Sequence, residues 1–202
     1  MSIAEKLTTI AENQQKVYEA GQKSEYDRFW DEFQENGNRN HYFYAFSYHN
    51  FDDTTYNPKY PIKTGISNTG GQNLFYSSYG ITDTKVDISF ERTANGAFNS
   101  AKKMKTIRKI IATEDVSFTN TFSAAESLEN VTIEGTIGVN GFNVQWSPLL
   151  THDSLMSIIN ALKDYSEDTS GTTWLITLGS DNIAKLSNDE LNMIEAKGWQ
   201  YG

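Results

Sequence analysis

The chain has 202 residues and a formal net charge of -9 at pH 7, and it contains no cysteine. Its length fits one domain with a buried core, and its negative charge argues against sequence-independent binding to nucleic acid or to an anionic membrane. The lack of cysteine excludes disulfide bonds and cysteine-based zinc or iron–sulfur sites.

The first residues have neither a basic start nor an apolar run of the length that a secretory signal needs. No later segment approaches the ~20 apolar residues of a membrane-spanning helix. We therefore expect a protein that is made and kept soluble in the cytoplasm, with cell lysis or incorporation into a virion as its routes out.

A first helix is predicted at the start of the chain. Ser2 and Glu5 match a capping box, and apolar residues follow at helical spacing as far as Gly21. Two heptads with the polar Gln14 in the seam are fewer than the three or four that indicate a coiled coil. This helix is interpreted either as one that lies on its neighbour or projects as a tether, or as a handle for attachment or for homo-oligomerisation through residues 1–21.

A second helix is predicted from residue 24 to residue 36. It carries four aromatic residues on one face: Tyr26, Phe29, Trp30 and Phe33. So large an apolar stripe needs an apolar surface to cover, so we interpret it as the cap of a stack that follows. The expected organisation is a tether and cap in residues 1–36 and a capped stack in residues 37–202, together forming one folded unit.

Residues 41–60 contain eight aromatic side chains. The alternation in YFYAFSY predicts a strand with one buried face. The expected buried set is Tyr42, Tyr44, Phe46 and Tyr48. Phe43, Tyr56 and Tyr60 are then the candidate binding residues, because exposed rings stack on sugars and other partners. The alternative is that these rings only fill and cover the core, and Tyr60 also falls in an inward column of the repeat described next.

One phrase is written three times between residues 75 and 137. Each copy opens on an aromatic residue, has a small residue three places on and an apolar residue six places on. The three openings are Phe75, Phe98 and Phe122; the small residues are Ser78, Ala101 and Ala125; the apolar residues are Ile81, Met104 and Leu128. Extending the spacing of 23 and 24 outward reaches Phe51 and Trp146. Such a period predicts an α/β solenoid of about four to five degenerate coils.

Two details of the repeat bear on its interpretation. Eleven places after the opening stand Val86 and Ile133, whereas the middle copy is slipped by one residue to Ile110. The segment AKKMKTIRKI also surrounds inward apolar residues with five basic ones: Lys102, Lys103, Lys105, Arg108 and Lys109. These could grip a polyanion, but the apolar spacing already forces them outward, which favours a solvated face.

The end of the chain predicts a helix, a strand and a second helix that close the stack. Thr151 is the expected cap of the first helix, residues 173–178 form the strand, and Ser187 with Glu190 begins the last helix. The adjacent residues 152–154 do not predict a catalytic triad, because consecutive side chains diverge. The turn DYSEDTSG lacks the glycine and glutamate that a calcium loop needs, so a hydrated turn is predicted. The loop SNTGGQN carries no phosphate-binding motif.

The phrase F-x-x-small-x-x-L-x-x-[VI]-x-[VI] resembles the leucine-rich repeats of the BspA-like group, whose small place is often cysteine and is here serine or alanine. From SIAEKLTTIAENQQKVYEAG through SLMSIINALKDYS to TLGSDNIAKL, the chain is similar to leucine-rich-repeat proteins found in prophages and genomes of gut Firmicutes. The resemblance implies a leucine-rich-repeat-like solenoid with N-terminal helices and a C-terminal helix–strand–helix cap. It implies a fold more than a role, since most members have no assigned function.

No residues in the sequence combine into a catalytic, cofactor or metal site. The first hypothesis is therefore a non-enzymatic recognition or assembly module that holds a protein or a glycan, most concretely a phage structural or tail-associated protein. The second is a small glycan-active enzyme with a carboxylate pair drawn from four residues: Asp52, Asp53, Asp83 and Asp87. Two of these carboxyl groups ~5 to 10 Å apart across a groove would favour the enzyme.

Overall fold

The computed structural model describes residues 6, 8–10, 12–14, 45–48, 51–58, 60–65 and 68–202. The chain divides into two compact units, residues 1–36 and residues 37–202. In the first unit the described residues are helical and exposed, which confirms the predicted first helix at those positions. The predicted second helix, 24–36, lies outside the described residues.

The second unit is a mixed α/β structure with two parallel sheets. The larger sheet has the order β1-β2-β3-β4, with the strands β1 (Ile62–Lys63), β2 (Asp87–Phe90), β3 (Thr106–Ala112) and β4 (Asn130–Gly135). The smaller has the order β5-β6-β7, with β5 (Phe142–Asn143), β6 (Trp174–Thr177) and β7 (Trp199–Tyr201). Among the described residues of this unit, three helices occur: α1 (His152–Ala161), α2 (Ser180–Ile183) and α3 (Asn188–Ala196).

The strands of the larger sheet follow one another in sequence and lie side by side. Ile88 pairs with Ile110, and Ile110 pairs with Ile133, so one buried column runs through three copies of the repeat. Parallel neighbours need a connection that returns to the same end of the sheet, and here the rest of each copy supplies it. The periodic columns of the sequence therefore become contacts between adjacent copies.

The aromatic openings of the three copies form a stack of buried rings. The ring centroids of Phe75 and Phe98 lie 5.3 Å apart with an angle of 11° between the planes. Those of Phe98 and Phe122 lie 6.0 Å apart at 6°. The small residues three places on are fully buried, so the predicted register is confirmed for the rings and the small residues. Eleven places on, it is wrong in the first copy, because Ile88 and not Val86 pairs with Ile110.

The stack continues upstream through Phe46 and not through Phe51, so the predicted upstream anchor is wrong. The Phe46 ring lies 5.0 Å from that of Phe75. Its backbone N–H donates to the carbonyl of Leu74, just before Phe75, as Phe75 donates to Ala97, just before Phe98. The interval from Phe46 to Phe75 is 29 residues, because an insertion that holds Phe51 separates them.

The downstream anchor is Val144 and not Trp146, so this extension of the register is also wrong. In each inner copy the small residue donates its N–H to the carbonyl of the opening residue, and Ser147 donates in this way to Val144. Leu150 then donates to Ser147, as Met104 and Leu128 do to their own small residues. Ser147 and Leu150 are buried, whereas Trp146 is 55% exposed.

The predicted strand at residues 42–48 is wrong where the structure describes it, because residues 45–48 form a turn. Phe46 and Ser47 are both buried, and Tyr48, expected inside, is 48% exposed. Strand alternation fails here because Tyr48 has a φ of 58°, in the left-handed region that no strand adopts. Tyr42, Phe43 and Tyr44 lie outside the described residues.

The slipped residue of the middle copy is a β-bulge. Thr106 pairs with Asn130 and Ile110 with Ile133, so five residues of β3 span four residues of β4. The preceding copy is longer again, since the six residues from Asp83 to Ile88 lie beside the five from Thr106 to Ile110. The sheet therefore loses one residue at each step, and the extra residues bulge outward.

Helix α1 closes the free edge of β4. The hydroxyl of Ser154 accepts the N–H of Val131 at 2.9 Å, and the hydroxyl of Ser157 accepts the N–H of Ile133 at 2.8 Å. Serines three places apart lie on one face of a helix, so they meet alternate donors of the strand. An exposed strand edge is a template for pairing with other chains, and α1 replaces the strand that would otherwise be needed there.

The C-terminal helices confirm the predicted boundaries. Thr151 caps α1 by accepting the N–H of Ser154, and Ser187 with Glu190 forms a complete capping box at the start of α3. Strand β6 confirms the predicted strand within 173–178, but Leu175 on it is 41% exposed, so that strand is buried on one side only. The expected helix, strand and helix are present as α1, β6 and α3, but α2 and β7 were not predicted.

Side-chain bonds to backbone carbonyls fasten this end to the repeats. The buried Asn182 amide donates to the carbonyls of Val144, Ser147 and Leu178. The Lys197 ammonium donates to the carbonyls of Ile159, Asn160 and Leu162, where α1 ends. Burial lowers the pKa of Lys197, while the bonds to carbonyls at a helix C-terminus favour its charged form.

Candidate functional site

The three predicted binding residues do not form one exposed platform. Tyr60 is 62% exposed, as expected. Tyr56 is fully buried, so the expectation that it is exposed is wrong. Phe43 lies outside the described residues. What remains of the predicted site in the described part of the chain is the single ring of Tyr60.

Tyr56 belongs to the core because its ring and its hydroxyl both have internal partners. Its ring meets those of Phe46 and Phe75 edge to face, with centroids 5.2 and 5.6 Å apart. Its hydroxyl donates to the carbonyl of Thr84 at 2.9 Å. Burial raises the pKa of Tyr56 well above its usual value, with a smaller contribution from the charge of Asp83.

The four candidate carboxylates each take part in local structure. Asp52 accepts hydrogen bonds from the side chains and backbone N–H groups of Thr54 and Thr55, and these bonds, that of the Thr54 hydroxyl first, lower its pKa to about 2. Asp53 accepts the N–H and the hydroxyl of Thr82, at 2.8 and 2.7 Å. The hydrogen bonds to Asp52 favour its ionised form, which makes it a poor general acid.

The other two carboxylates lie at the bulges of the sheet. Asp83 accepts the backbone N–H of Lys85 at 2.6 Å. Asp87 Oδ1 lies 3.3 Å from Arg108 Nε, an ion-pair contact, and its Oδ2 lies 3.9 Å from Lys109 Nζ. The groups that a glycosidase would need for proton transfer and attack are thus engaged in turns, bulges and ion pairs.

Four of the five residues of the basic cluster, Lys102, Lys105, Arg108 and Lys109, lie near carboxylates of the adjacent copies. Lys102 lies 3.9 Å from Glu126, and Lys105 lies 3.6 Å from Glu129. Lys109 also lies 2.7 Å from Glu134, a short contact that raises its pKa. Solvent screens such exposed pairs, so they add little stability, but they neutralise the charge that would attract a polyanion. These contacts favour the solvated-face interpretation.

Histidine 152 does not assemble a triad with its neighbours. Its Nε2 lies 2.8 Å from Glu190 Oε1, so it joins the start of α1 to the capping box of α3. The hydroxyl of Ser154 is used instead on the edge of β4. Across the described residues, no group of three or more histidine and carboxylate side chains could hold a metal ion.

The predicted hydrated turn, residues 164–171, is held by its own side chains and by a ring. Asp168 accepts the indole N–H of Trp174 at 2.7 Å and also bonds with Ser170, and the Trp174 bond is the main cause of its lowered pKa. The Trp174 ring in turn stacks on that of Tyr165, with centroids 3.8 Å apart. This cluster packs the turn against the chain end and leaves Asp168 committed to an internal contact.

A polar groove of about 580 Å³ lies beside the chain that follows β2 and β3. Its lining includes Arg92, whose Nε donates to the Asn68 side chain at 3.1 Å. It also includes Asn95, whose amide oxygen accepts from Ser117 and from the N–H of Thr119. Because these polar groups bond to one another across copies, they stabilise the chain as much as they line a groove.

The most distinctive surface is formed by the residues that stand two positions after the ring-column residue of each copy. We call this surface the turn face. It is formed by one residue from each copy: Tyr48, Ser77, Ser100, Ala124 and Trp146. The first four have positive φ values of 58°, 52°, 58° and 53°. Left-handed backbone turns the chain sharply at these places, and small residues there leave the middle of the face low.

Large aromatic residues stand at the two ends of the turn face. Tyr48 is 48% exposed and Trp146 is 55% exposed, which is unusual for an indole ring. Beside Tyr48 lies the Tyr76 ring, edge to face at 5.8 Å. The adjoining column continues from Tyr76 through three polar residues: Asn99, Ser123 and Gln145. Between the two exposed rings, Ser77 is buried and the Ser100 hydroxyl donates to the Asn99 side chain at 2.8 Å. The most exposed polar side chain of the adjoining column is that of Gln145.

Sequence reasoning missed this surface because it placed Trp146 in the ring column. The small and apolar places identify the register there, since Ser147 and Leu150 follow Val144 at the spacing of the inner copies. Read from those places, the sequence would have put Val144 inside and Trp146 outside. Tyr48 was missed because no sequence signal shows that its backbone is left-handed.

None of the helices in the described part of the chain has the length and apolarity that crossing a bilayer requires. Comparison with protein-family models, with curated proteins and with solved structures found no match for this chain.

Proposed function

We propose that the protein is a non-enzymatic recognition or assembly module built on a short leucine-rich-repeat-like solenoid of the BspA-like kind. Support for the solenoid comes from the parallel strands in sequence order, the stacked rings of Phe75, Phe98 and Phe122, and the buried small residues beside them. A stack of this kind displays broad surfaces formed by many copies, which suits binding better than catalysis.

The observation that carries the recognition role is the turn face. It combines two exposed rings with hydroxyl and amide side chains, whereas the four candidate carboxylates are bound in turns and ion pairs. Rings with neighbouring polar groups are typical of surfaces that hold a glycan or a protein partner. The module therefore binds through side chains displayed by its repeats.

The first unit would serve assembly. Ile10, one of the apolar residues in the predicted seam of the N-terminal helix, is 52% exposed. An exposed apolar residue on a helix favours self-association, so we propose that residues 1–21 form a homo-oligomer. Together with the resemblance to proteins of prophages, this favours a phage structural or tail-associated role.

The binding role is tested with the biotinylated full chain on a glycan array and in capture from bacterial cell-surface extracts. We expect one glycan class or one protein to be retained, with no new reducing ends released from the array. Release of reducing ends, abolished by Asp52→Asn or Asp87→Asn, would establish the enzyme instead. Retention of no partner in either format would contradict the recognition role.

The phage role is tested separately by prophage induction in the source strain. Mass spectrometry of purified virions should find the chain in constant proportion to a major tail protein. Its absence from virions would contradict the structural version and leave a recognition module outside the particle.

A further inference from the structure

We propose that the turn face is the binding site for a linear, uncharged glycan that lies across successive copies of the repeat, with its ends stacked on Tyr48 and Trp146. This inference rests on the proposed recognition function and names the ligand class and its site. It follows from the step between copies, from the hydrogen bonds already made by the backbone, and from the distribution of charge.

The step between copies suits a chain of sugar rings. The stacked rings beneath the turn face advance by 5.0, 5.3 and 6.0 Å from Phe46 to Phe122. Sugar rings repeat along a linear glycan at a similar step, so each ring would meet the same place in the next copy. An extended peptide advances by only ~3.3 Å per residue and would fall out of register.

At three of the five places of the turn face, Tyr48, Ser77 and Ser100, the backbone N–H group is engaged in a hydrogen bond. The N–H of Ser77 donates to the carbonyl of Asn99, and that of Ser100 donates to the carbonyl of Ser123. Asn99 and Ser123 donate their own N–H groups within their turns. A peptide cannot add to such a surface as a strand, because strand addition needs main-chain partners. Recognition must use side-chain hydroxyls, amides and rings, which are the groups that bind sugars.

The charge near the turn face favours an uncharged ligand. The turn face and its adjoining column contain serine, asparagine and glutamine side chains, none of which ionises at neutral pH. The nearest basic residue of the middle copy, Lys102, lies 3.9 Å from Glu126 of the next copy. With a net charge of -9 on the whole chain, a polyanionic glycan or a nucleic acid would be repelled.

The two end rings set the length of the ligand. Tyr48 and Trp146 occupy equivalent places in copies separated by three others, and Ser77, Ser100 and Ala124 stand between them. An apolar ring face stacks on the apolar face of a sugar. A glycan that reaches both rings should bind more tightly than one that reaches a single ring, because the second contact is made within the complex.

The test is calorimetric titration of the full chain with neutral oligosaccharides from two to six sugars long, using the cello-, malto- and chito-oligosaccharide series. We expect one series to bind, with affinity rising with length and the hexamer at least about tenfold tighter than the dimer. Trp146→Ala should weaken binding of the hexamer by about tenfold, the effect of one lost ring. In this variant the affinity should therefore change little between the dimer and the hexamer.

Two further variants separate the site from the rest of the surface. Ser100→Arg should block the hexamer, because a long side chain would cross the low middle of the face. Tyr60→Ala is the matched control, since Tyr60 is an exposed tyrosine that lies outside the turn face. It should bind the hexamer as the parent chain does. Thermal melting of each variant shows whether it is folded. If Ser100→Arg does not fold, the test depends on Trp146→Ala.

A hexamer that binds equally to Trp146→Ala, Ser100→Arg and the parent chain overturns the site and leaves the recognition function standing. Loss of hexamer binding in Tyr60→Ala alone would also overturn the site and leave the recognition function standing. It would place the binding site at Tyr60. Failure of every neutral series to bind overturns the inference as well. The recognition function fails only if the array and capture experiments also retain no partner.

Discussion

The repeats of the second unit are joined mainly by backbone hydrogen bonds, whereas its C-terminal end adds side-chain bonds to the backbone bonds of β5, β6 and β7. Between the repeats, backbone N–H groups donate to backbone carbonyls of the next copy, as Phe98 does to Thr121. At the end, individual side chains provide further bonds: Ser157 on the edge of β4, Asn182 on α2 and Lys197 at the end of α1.

The difference shows where the amino-acid sequence is constrained. Any residue can provide a backbone bond, so the repeats need only a ring, a small residue and an apolar residue at fixed places. Where the edge of β4 and the end of α1 have no strand to pair with, specific side chains satisfy their N–H groups and carbonyls. In the repeats, a substitution should therefore change stability mainly through the volume of the buried side chain. At the C-terminal end, it should change stability mainly through the hydrogen bonds that the side chain makes.

The largest effect is expected in the ring stack. Phe98→Ala removes a ring that is fully buried between those of Phe75 and Phe122. It should cost roughly 3 to 5 kcal/mol of the free energy of unfolding, because it leaves a cavity shared by neighbouring copies. Urea denaturation followed by circular dichroism measures the loss.

Lys102→Ala is the control for that variant, in the same copy and on its solvent side. Its side chain is 56% exposed and contacts Glu126 only at 3.9 Å. The free energy of unfolding should change by less than about 0.5 kcal/mol. Equal losses in the two variants would show that the register proposed for the stack is mistaken.

An intermediate effect is expected where the two regions meet. Ser157→Ala removes the hydroxyl that accepts the N–H of Ile133 at 2.8 Å. The loss should be about 1 to 2 kcal/mol, because a donor on the strand edge is left without its partner. The amide of Ile133 should also exchange with solvent faster than that of Ile110, which hydrogen exchange by NMR can resolve.

Asn160→Ala serves as the control for the edge contact. It lies on the same helix with an exposed side chain, and the carbonyl that it offers to Lys197 belongs to the backbone. Its substitution should leave the exchange of Ile133 unchanged. Faster exchange in this variant would mean that loosening of the whole helix, and not the serine bond, protects the strand edge.

The smallest effect, and one of opposite sign, is expected at Ser78. Its hydroxyl is buried without a hydrogen-bond partner among the described residues, and the same place holds Ala101 and Ala125 in the next copies. Ser78→Ala should be neutral or stabilise the protein by up to about 1 kcal/mol, because an unpaired hydroxyl costs free energy when it is buried. A loss of more than 1 kcal/mol in urea denaturation would show that the hydroxyl has an essential partner.

Sequence reasoning was most successful where one residue type performs one physical task. The aromatic, small and apolar columns of the inner copies, the cap at Thr151 and the capping box at Ser187 were all predictable, since volume and helix capping are local properties. The basic cluster was predictable as a solvated face for the same reason. Its particular partners were not, because they belong to other copies.

The remaining features depend on the three-dimensional structure. An insertion lengthens the interval from Phe46 to Phe75 to 29 residues, so extrapolating a fixed period selected Phe51. The left-handed backbone at Tyr48 reverses the faces that alternation assigns. Tyr56 looked like a loop residue, but its ring fills the space that this longer interval creates. No local sequence signal marks any of these.

The stepwise shortening of the strands limits how the chain can vary in length. The segments beginning at Asp83, Thr106 and Asn130 contribute six, five and four residues between the same two columns. Arrays of repeats ordinarily grow or shrink by duplicating or deleting one copy. Here a duplicated middle copy would place two five-residue segments side by side and break the progression, so the copies are not interchangeable. Copy number in this protein is fixed by its geometry, and its relatives should differ by substitution within copies more than by their number.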